Sequence, residues 1–259
     1  MYHISFPNRN IQAIDTHTPA VARALHAAID DLVAANRILA GLGVLDGFGH
    51  VSARHPDRSD RYLLARSVAP ELVTGNDIMT FDLASNAEDG DTRAPYLERF
   101  IHGAIYAQRP DVRAIVHSHS PAVVPFAASS VRLQPIYHMS SFLAAGAPVF
   151  EIRERFGATD MLVKNGAQGD ALAGSLGAGS VILMRGHGFC TVGDSVPVAV
   201  FRAVYTQANA ALQQQAILLG GAVTYLDPGE ALRADETNRR VVMRPWALWK
   251  AKFHTAPGA

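Results

Sequence analysis

The sequence predicts one domain of the α/β class, and three observations lead to that prediction. Helical and strand patterns alternate along the 259 residues, which favours a sheet covered by helices. No internal repeat, low-complexity linker or break in composition divides the chain. Apolar residues make up 49% of it, which is enough for a sizeable core and excludes a disordered protein. We therefore predict a single domain over 1–259, with a mixed sheet.

The spacing of apolar residues predicts the order of the elements. Apolar side chains three or four positions apart between Val21 and Leu39 predict a first helix, which Gly41 and Gly43 end. Helices are predicted at 19–42, 96–108, 159–174 and 195–219, and strands at two places within 48–65 and at 76–83, 113–120, 148–150 and 181–185. The remaining segment, 226–259, is polar and is predicted to be a C-terminal tail or an arm onto a neighbouring subunit.

The charge of the chain excludes some classes of partner. Lys and Arg together number 23, as do Asp and Glu, so the formal net charge is zero. Nucleic-acid and acidic-membrane binders carry a basic excess, so neither kind of partner is expected. Only 18% of the residues are charged, against roughly 25% in an average soluble domain. We therefore expect part of the surface to face other subunits.

Cysteine usage and the uncharged stretches bear on the compartment. Cys190 is the only cysteine, so no disulfide can form within the chain, and a reducing cytoplasm is expected. The first ten residues contain no apolar segment of the kind found in secretion signals. The uncharged stretches 114–131 and 133–150 contain Pro, His and Ser and are too polar to span a bilayer.

Three histidines occupy positions that suit metal ligation. His117 and His119 are two residues apart on a predicted strand, so their imidazoles point to the same side. His187 lies between two glycines directly after the predicted strand 181–185, where the backbone can turn sharply. The alternative for the pair is two polar residues on a solvated face. Glu98, near the start of a predicted helix, precedes them; alone it would be an ordinary exposed acid close to a helix N-terminus.

This ordered set resembles the class II aldolase/adducin family. The matching segments are Glu98-x-x-x-His102, Ala114 to His119, and Arg185-Gly186-His187-Gly188. The resemblance implies a domain with a central, mainly antiparallel sheet, assembled as a homotetramer. It also implies one divalent metal ion held by His117, His119 and His187, with Glu98 as a further ligand or a proton carrier. Three imidazoles suit Mn²⁺ or Zn²⁺, with Fe²⁺ and Co²⁺ as alternatives.

The departures from the family pattern concern the substrate. In the family's sugar-phosphate aldolases, small hydroxyl side chains and backbone amides at three places hold the phosphate. Here those places carry His50, Ser52 and Arg54, then Arg66 and Ser67, then Tyr96. Arginine binds a planar carboxylate through two hydrogen bonds, and Tyr and His give flat walls for a ring. We expect these six residues to bind substrate, although a surface ion pair is an alternative for Arg66.

This variant pattern resembles the family's hydroxyaromatic decarboxylase branch. It implies a metal-dependent carboxy-lyase acting on an ortho-hydroxy aromatic or pyridine dicarboxylate, of the 3-hydroxy-2-methylpyridine-4,5-dicarboxylate or dihydroxyphthalate type. Glu98 would protonate the ring carbon, and His138 would act from a neighbouring subunit, at the place of an acid in the aldolases. Three alternatives stay open: an aldolase or epimerase on a hydroxy acid or sugar, a mononuclear iron oxygenase, and a non-catalytic binding module of the adducin type.

Overall fold

The described part of the chain, residues 19–254 of a computed structural model, is built on a seven-stranded sheet. The strands are β1 (His50–Arg54), β2 (Arg61–Ala65), β3 (Ile78–Asp82), β4 (Ala114–Ser118), β5 (Val149–Phe150), β6 (Val181–Met184) and β7 (Gly188–Gly193). They lie in the order β3-β2-β1-β4-β7-β6-β5, and every neighbouring pair is antiparallel except β5 and β6. The prediction of an α/β domain with a mainly antiparallel sheet is confirmed. The expected lack of a secretion signal concerns residues outside the described part.

Helices cover both faces of this sheet. They are α1 (Pro19–Gly41), α2 (Arg99–Gln108), α3 (Val124–Ala127), α4 (Ile152–Phe156), α5 (Gly166–Leu176), α6 (Val196–Leu218), α7 (Pro228–Val241) and α8 (Met243–Phe253). Because strand side chains alternate, Val116 packs in a core with α1, α6 and α8, while its neighbour Ile115 packs in a second core with α2 and α5. Within residues 19–254, no helix combines the length and apolarity needed to cross a membrane.

Two elements in the second half differ from the prediction. β7 was not predicted, because its sequence GFCTVG has two glycines and little strand alternation; it forms an antiparallel hairpin with β6. The helix predicted at 159–174 begins later, at Gly166. Asn165 caps that helix, since its side chain accepts a hydrogen bond of 3.0 Å from the backbone amide of Gln168. The preceding residues form a loop.

The segment 226–259, predicted as a tail or arm, requires a correction, because most of it forms the helices α7 and α8. The Asp227 side chain caps α7 by accepting hydrogen bonds from the backbone amides of Gly229 and Glu230. Trp246 and Trp249 of α8 are buried in the core that contains α1 and α6. The polar character of α7 hid that helix from sequence analysis, since its buried residues are limited to Ala231 and Asn238. Residues 255–259 lie outside the described part.

The sheet register places two candidate site residues of the central strands, His50 and His117, next to each other. His117 on β4 lies opposite His50 on β1 and opposite Cys190 on β7. The hairpin between β6 and β7 brings His187 to the same end of the sheet. Gly186 has a φ of 62° in this turn, and a Cβ at Gly188 would lie 2.1 Å from the Ser118 carbonyl oxygen. The two glycines therefore permit the close approach of the hairpin to β4.

Candidate metal centre and active site

Four side chains from three parts of the chain converge at this end of the sheet. The Nε2 atom of His119 lies 3.0 Å from Nε2 of His117 and 2.9 Å from Nε2 of His187. Oε2 of Glu98, the residue just before α2, lies 3.5 Å from Nε2 of His117 and 3.3 Å from Nε2 of His187. All four ligand atoms lie within 4.8 Å of one another. The structure thus brings together the residues that the sequence singled out as a metal site.

Backbone carbonyls orient two of the imidazoles. Nδ1 of His117 lies 3.2 Å from the carbonyl oxygen of Phe189, and Nδ1 of His187 lies 3.0 Å from that of Met161. A carbonyl oxygen only accepts hydrogen bonds, so each Nδ1 carries the proton and donates it. In the neutral rings the lone pair is then on Nε2, directed at the other ligands.

Glu98 is held in a matching orientation. The backbone amide of Val163 donates a hydrogen bond of 3.0 Å to its Oε1, which leaves Oε2 for the imidazoles. Burial alone would raise the pKa of Glu98, but His117 and His187 in their protonated form hold that pKa well below its ordinary value through hydrogen bonds and charge. Burial, followed by the neighbouring imidazoles, lowers the pKa of His119 to about 4. The cluster therefore favours an ionised carboxylate beside a neutral His119.

This donor set fits one divalent metal ion. Lone pairs on converging imidazole nitrogens repel one another unless a cation or proton lies between them, and three imidazoles with one carboxylate are a common ligand set for Zn²⁺, Mn²⁺, Fe²⁺ or Co²⁺. The hydrogen bonds from the Nδ1 atoms to carbonyls are the contacts that metal-binding histidines usually make. His117, His119 and His187 would hold the ion, with Glu98 within reach.

A cavity of about 420 Å³ opens beside the cluster, which is within the size range of small-molecule sites. Glu98 and His119 form part of its wall. The other lining residues are Gly47, Phe48, Gly49, His50, Ser67, Val68, Ala69, Tyr96, Leu97 and Leu162. Most of this lining is apolar or aromatic, and the described lining residues include no Arg or Lys. The cavity is suited to a flat ring held by a few polar groups.

Three of the six predicted substrate-binding residues line this cavity: His50, Ser67 and Tyr96. The ring of His50 lies 4.8 Å from that of Tyr96 and 5.0 Å from that of His117, measured between centroids. The Tyr96 hydroxyl donates to the carbonyl oxygen of Val68, so the tyrosine contributes its ring face rather than a free hydroxyl. His50 and Tyr96 thus form the aromatic wall that the sequence predicted.

Ser52 and Arg54 lie behind the cavity, in a position that does not support the predicted substrate contact. The Ser52 hydroxyl lies within hydrogen-bond distance of His102 and Tyr106 on α2. The buried guanidinium of Arg54, at the far end of β1, donates to four backbone carbonyl oxygens: those of Ser59, Tyr106, Arg109 and Val112. His50, Ser52 and Arg54 lie on the same face of β1, because side chains alternate along a strand. His50 is at the end of the strand next to the cavity, whereas Arg54 is at the opposite end.

Arg66 and His138 both lie outside the lining of the cavity. Nε of Arg66 donates a hydrogen bond of 2.6 Å to Oδ1 of Asp77, so the ion pair weighed as an alternative is present, and Arg66 is not among the lining residues. Asp77 lies eleven positions beyond Arg66 in the sequence. His138 is exposed at the start of the 3₁₀ helix His138–Ala145, outside the cavity lining. Its expected action from a neighbouring subunit stays a prediction.

Sequence analysis missed several residues that shape the site. The loop between α4 and α5 supplies the carbonyl of Met161, the amide of Val163 and the side chain of Leu162. Nothing in its sequence indicates these contacts, because they use mainly the backbone. His102 was singled out only as part of the motif with Glu98. Its fully buried position behind His50 was not predicted.

Known proteins similar to this chain include named decarboxylases. Decarboxylase tropJ of Talaromyces stipitatus is 36% identical over 235 residues, covering 82% of this chain and 88% of the relative. A 3,4-dihydroxyphthalate decarboxylase of Arthrobacter keyseri is 31% identical over 214 residues, covering 76% of this chain and 82% of the relative.

The fold is shared with a solved structure of an aldolase II superfamily protein from Pseudomonas syringae. The TM-score is 0.73 at 24% identity, over 92% of this chain and 95% of that one. The sequence family described as Class II Aldolase and Adducin N-terminal domain matches residues 30–214, which include all four residues of the cluster. The chain belongs to the class II aldolase and adducin family.

Proposed function

We propose that this protein is a metal-dependent decarboxylase of an ortho-hydroxy aromatic or pyridine dicarboxylate, of the dihydroxyphthalate or 3-hydroxy-2-methylpyridine-4,5-dicarboxylate type. The observation that carries the proposal is the juxtaposition of the Glu98 and three-histidine cluster with a cavity walled by His50 and Tyr96. The similarity to named decarboxylases supports the same reaction class.

The residues of the cavity suit the binding of a substituted ring. The ring faces of Tyr96 and His50 offer flat contact, and Phe48 and Leu97 add apolar surface at the edge of the cavity. Ser67 provides a hydroxyl for a carboxylate that is retained on the ring. A divalent ion on the three histidines would act as a Lewis acid toward the ring hydroxyl or the neighbouring carboxylate.

Glu98 is the group we assign to proton transfer. As an ionised carboxylate, its Oε2 accepts the proton of the ring hydroxyl, and it then returns that proton to the ring carbon that bears the departing carboxylate. The bond between that carbon and the carboxylate breaks, the electron pair restores the aromatic ring, and CO₂ leaves. The ring oxygen takes up a proton from water. The hydrogen bond from Val163 to Oε1 keeps the carboxylate oriented during both transfers.

An assay of CO₂ release from hydroxyphthalates and hydroxypyridine dicarboxylates tests this function. We expect CO₂ and the decarboxylated ring in equal amounts, with and without oxygen. Phthalate, which lacks the ortho hydroxyl, is the matched control and should release none. CO₂ release that depends on oxygen would instead indicate an iron oxygenase. Cleavage of a free or phosphorylated sugar without any CO₂ from the aromatic acids would favour the aldolase alternative and overturn the proposal.

A further inference from the structure

Four buried side chains form one hydrogen-bonded chain that leads from the cavity wall into the core. Nδ1 of His50 lies 2.7 Å from Nε2 of His102, and Nδ1 of His102 lies 2.6 Å from the Ser52 hydroxyl. The Ser52 hydroxyl also lies 2.9 Å from the hydroxyl of Tyr106. His50 is 4% exposed and the other three are at most 1% exposed, so solvent does not compete for these bonds.

The number of polar hydrogens on these four side chains fixes which group donates and which accepts in each hydrogen bond. Each hydroxyl and each neutral imidazole carries one polar hydrogen, so four hydrogens are available for three hydrogen bonds. One hydrogen must therefore point outside the chain. If Tyr106 donates to Ser52, Ser52 to His102 and His102 to His50, the remaining hydrogen is on Nε2 of His50. Nδ1 of His50 is used in the bond to His102, and His50 lines the cavity. Its Nε2 is therefore the nitrogen that remains available to a ligand there.

The two other arrangements leave a buried hydroxyl without an acceptor. If every bond runs the opposite way, the hydrogen of Tyr106 is left over, and Ser52 is the one hydrogen-bond partner of that hydroxyl among the described residues. If Tyr106 and His102 both donate to Ser52, the Ser52 hydrogen is left over instead. A buried polar group without a partner is strongly disfavoured, so the arrangement with the hydrogen on His50 Nε2 predominates.

The environment keeps both imidazoles in the neutral state that this count assumes. Nδ1 of His50 and both nitrogens of His102 are engaged in hydrogen bonds with these buried side chains, and burial disfavours a charged ring in such a place. Burial likewise lowers the pKa of His102 to about 3, with a smaller contribution from His117. Near neutral pH, neither ring therefore gains a second proton.

We infer that His50 presents an N–H donor at Nε2 to the cavity and binds an anionic oxygen of the substrate with it, while Ser52 and His102 are positioning residues that fix this tautomer. The inference on the substrate rests on the proposed function, since a hydroxyaromatic dicarboxylate offers carboxylate and phenolate oxygens. A neutral donor is an appropriate partner here, because the described lining residues supply no Arg or Lys. The opposite tautomer would present a lone pair and repel such an oxygen.

The tautomer is measured directly by NMR of the Zn²⁺-loaded full chain carrying ¹⁵N-labelled histidine. The His50 signals are assigned by their loss in His50→Gln. We expect Nε2 to be protonated and Nδ1 to show the shift of a hydrogen-bonded acceptor. A protonated Nδ1 with a bare Nε2 overturns the inference. This measurement needs no turnover, so it stays informative even if the protein decarboxylates nothing.

Two variants separate positioning from packing. Ser52→Ala removes the donor to His102, so either tautomer leaves one group unpaired, and we expect the His50 signals to split or move to an average. Tyr106→Phe is the matched control: without its hydroxyl, Ser52 still donates to His102, and the His50 tautomer should be unchanged. A Ser52→Ala protein that folds and keeps the wild-type His50 signals overturns the positioning role of Ser52.

Two probes identify the oxygen that His50 binds. Benzoate carries a carboxylate without a hydroxyl, and catechol carries hydroxyls without a carboxylate. We expect the His50 Nε2–H signal to shift on addition of at least one of them. A shift with benzoate assigns the retained carboxylate, and a shift with catechol assigns the phenolate. If saturating concentrations of both probes leave the signal unmoved, the binding role of His50 is wrong.

Discussion

The guanidinium of Arg66 is tied to the carboxylate of Asp77 by a hydrogen bond of 2.6 Å. The other carboxylate oxygen of Asp77 accepts hydrogen bonds of 2.9 and 2.7 Å from the backbone amide and hydroxyl of Thr74. The backbone amide of Arg66 also donates to the Asp77 carbonyl, at 2.8 Å. Asp77 therefore joins the end of β2 to the turn before β3, next to the cavity residue Ser67.

We predict that Asp77→Asn lowers the free energy of unfolding by about 1–3 kcal/mol near neutral pH. Burial alone would raise the pKa of Asp77, but hydrogen bonds from Thr74 and Arg66 lower it below its ordinary value of 3.8. A carboxyl group whose pKa is lower in the folded state stabilises the protein above that ordinary value. The contribution is lost as the pH falls below 3.8 toward the folded-state pKa. Urea unfolding should show that the difference in the free energy of unfolding between the wild type and Asp77→Asn becomes smaller in acid. A difference that becomes larger in acid contradicts the assignment.

A second prediction concerns the substrate role that the sequence suggested for Arg66. Lysine keeps the charge that Asp77 requires but cannot reproduce a two-pronged carboxylate contact. Because Arg66 does not line the cavity, Arg66→Lys should change the affinity for an aromatic dicarboxylate by less than about threefold. Calorimetric titration of both proteins measures this. A loss of about ten- to a hundredfold would show that Arg66 binds the substrate after all.

Glu98→Gln should separate proton transfer from binding. The glutamine carbonyl can still accept the hydrogen bond from the Val163 amide, so the surrounding loop should keep its position. We expect kcat for CO₂ release to fall by about 10²–10⁴-fold while KM and metal content change little. Steady-state kinetics and elemental analysis provide both readouts. A variant that keeps wild-type kcat rules out Glu98 as the proton carrier.

Subunit assembly yields a prediction because apolar side chains are exposed at the cavity. Phe48 is 70% exposed and Leu97 is 61% exposed, which suits cover by a neighbouring subunit. Light scattering should therefore give a multiple of 27.8 kDa. If His138 acts across the boundary, mixing the inactive variants His138→Ala and Glu98→Gln should restore activity at sites that combine both intact residues. A monomeric mass together with no recovery contradicts this arrangement.

The candidate site was more predictable from the sequence than its surroundings. His117, His119 and His187 were singled out because their spacing and their glycine neighbours are local features of strands and turns, whereas Glu98 was assigned through the resemblance to the class II aldolase/adducin family. The contacts that orient them were not, because the carbonyls and amides that they use carry no residue-specific pattern.

The contacts of residues other than the candidate metal ligands could not be predicted from the single sequence. Arg54 was expected at the substrate because arginine suits a carboxylate, yet the carbonyls around it depend on how α2 packs against the sheet. The buried hydrogen bonds from His50 to His102 and from Ser52 to Tyr106 join residues more than fifty positions apart. Amphipathic helices and alternating strands were located well, whereas β7, α7 and α8 depend on tertiary packing.

One divalent ion on His117, His119 and His187 is expected to be required for CO₂ release. The most direct test removes metal with a chelator and then titrates Mn²⁺ or Zn²⁺ into the protein while bound metal and CO₂ are measured. We predict that activity rises with bound metal and levels off near one ion per chain. His187→Ala should stay near background throughout, and His26→Ala, an exposed histidine on α1, should follow the wild type. CO₂ release by the metal-free protein at the wild-type rate would contradict a requirement for the metal ion.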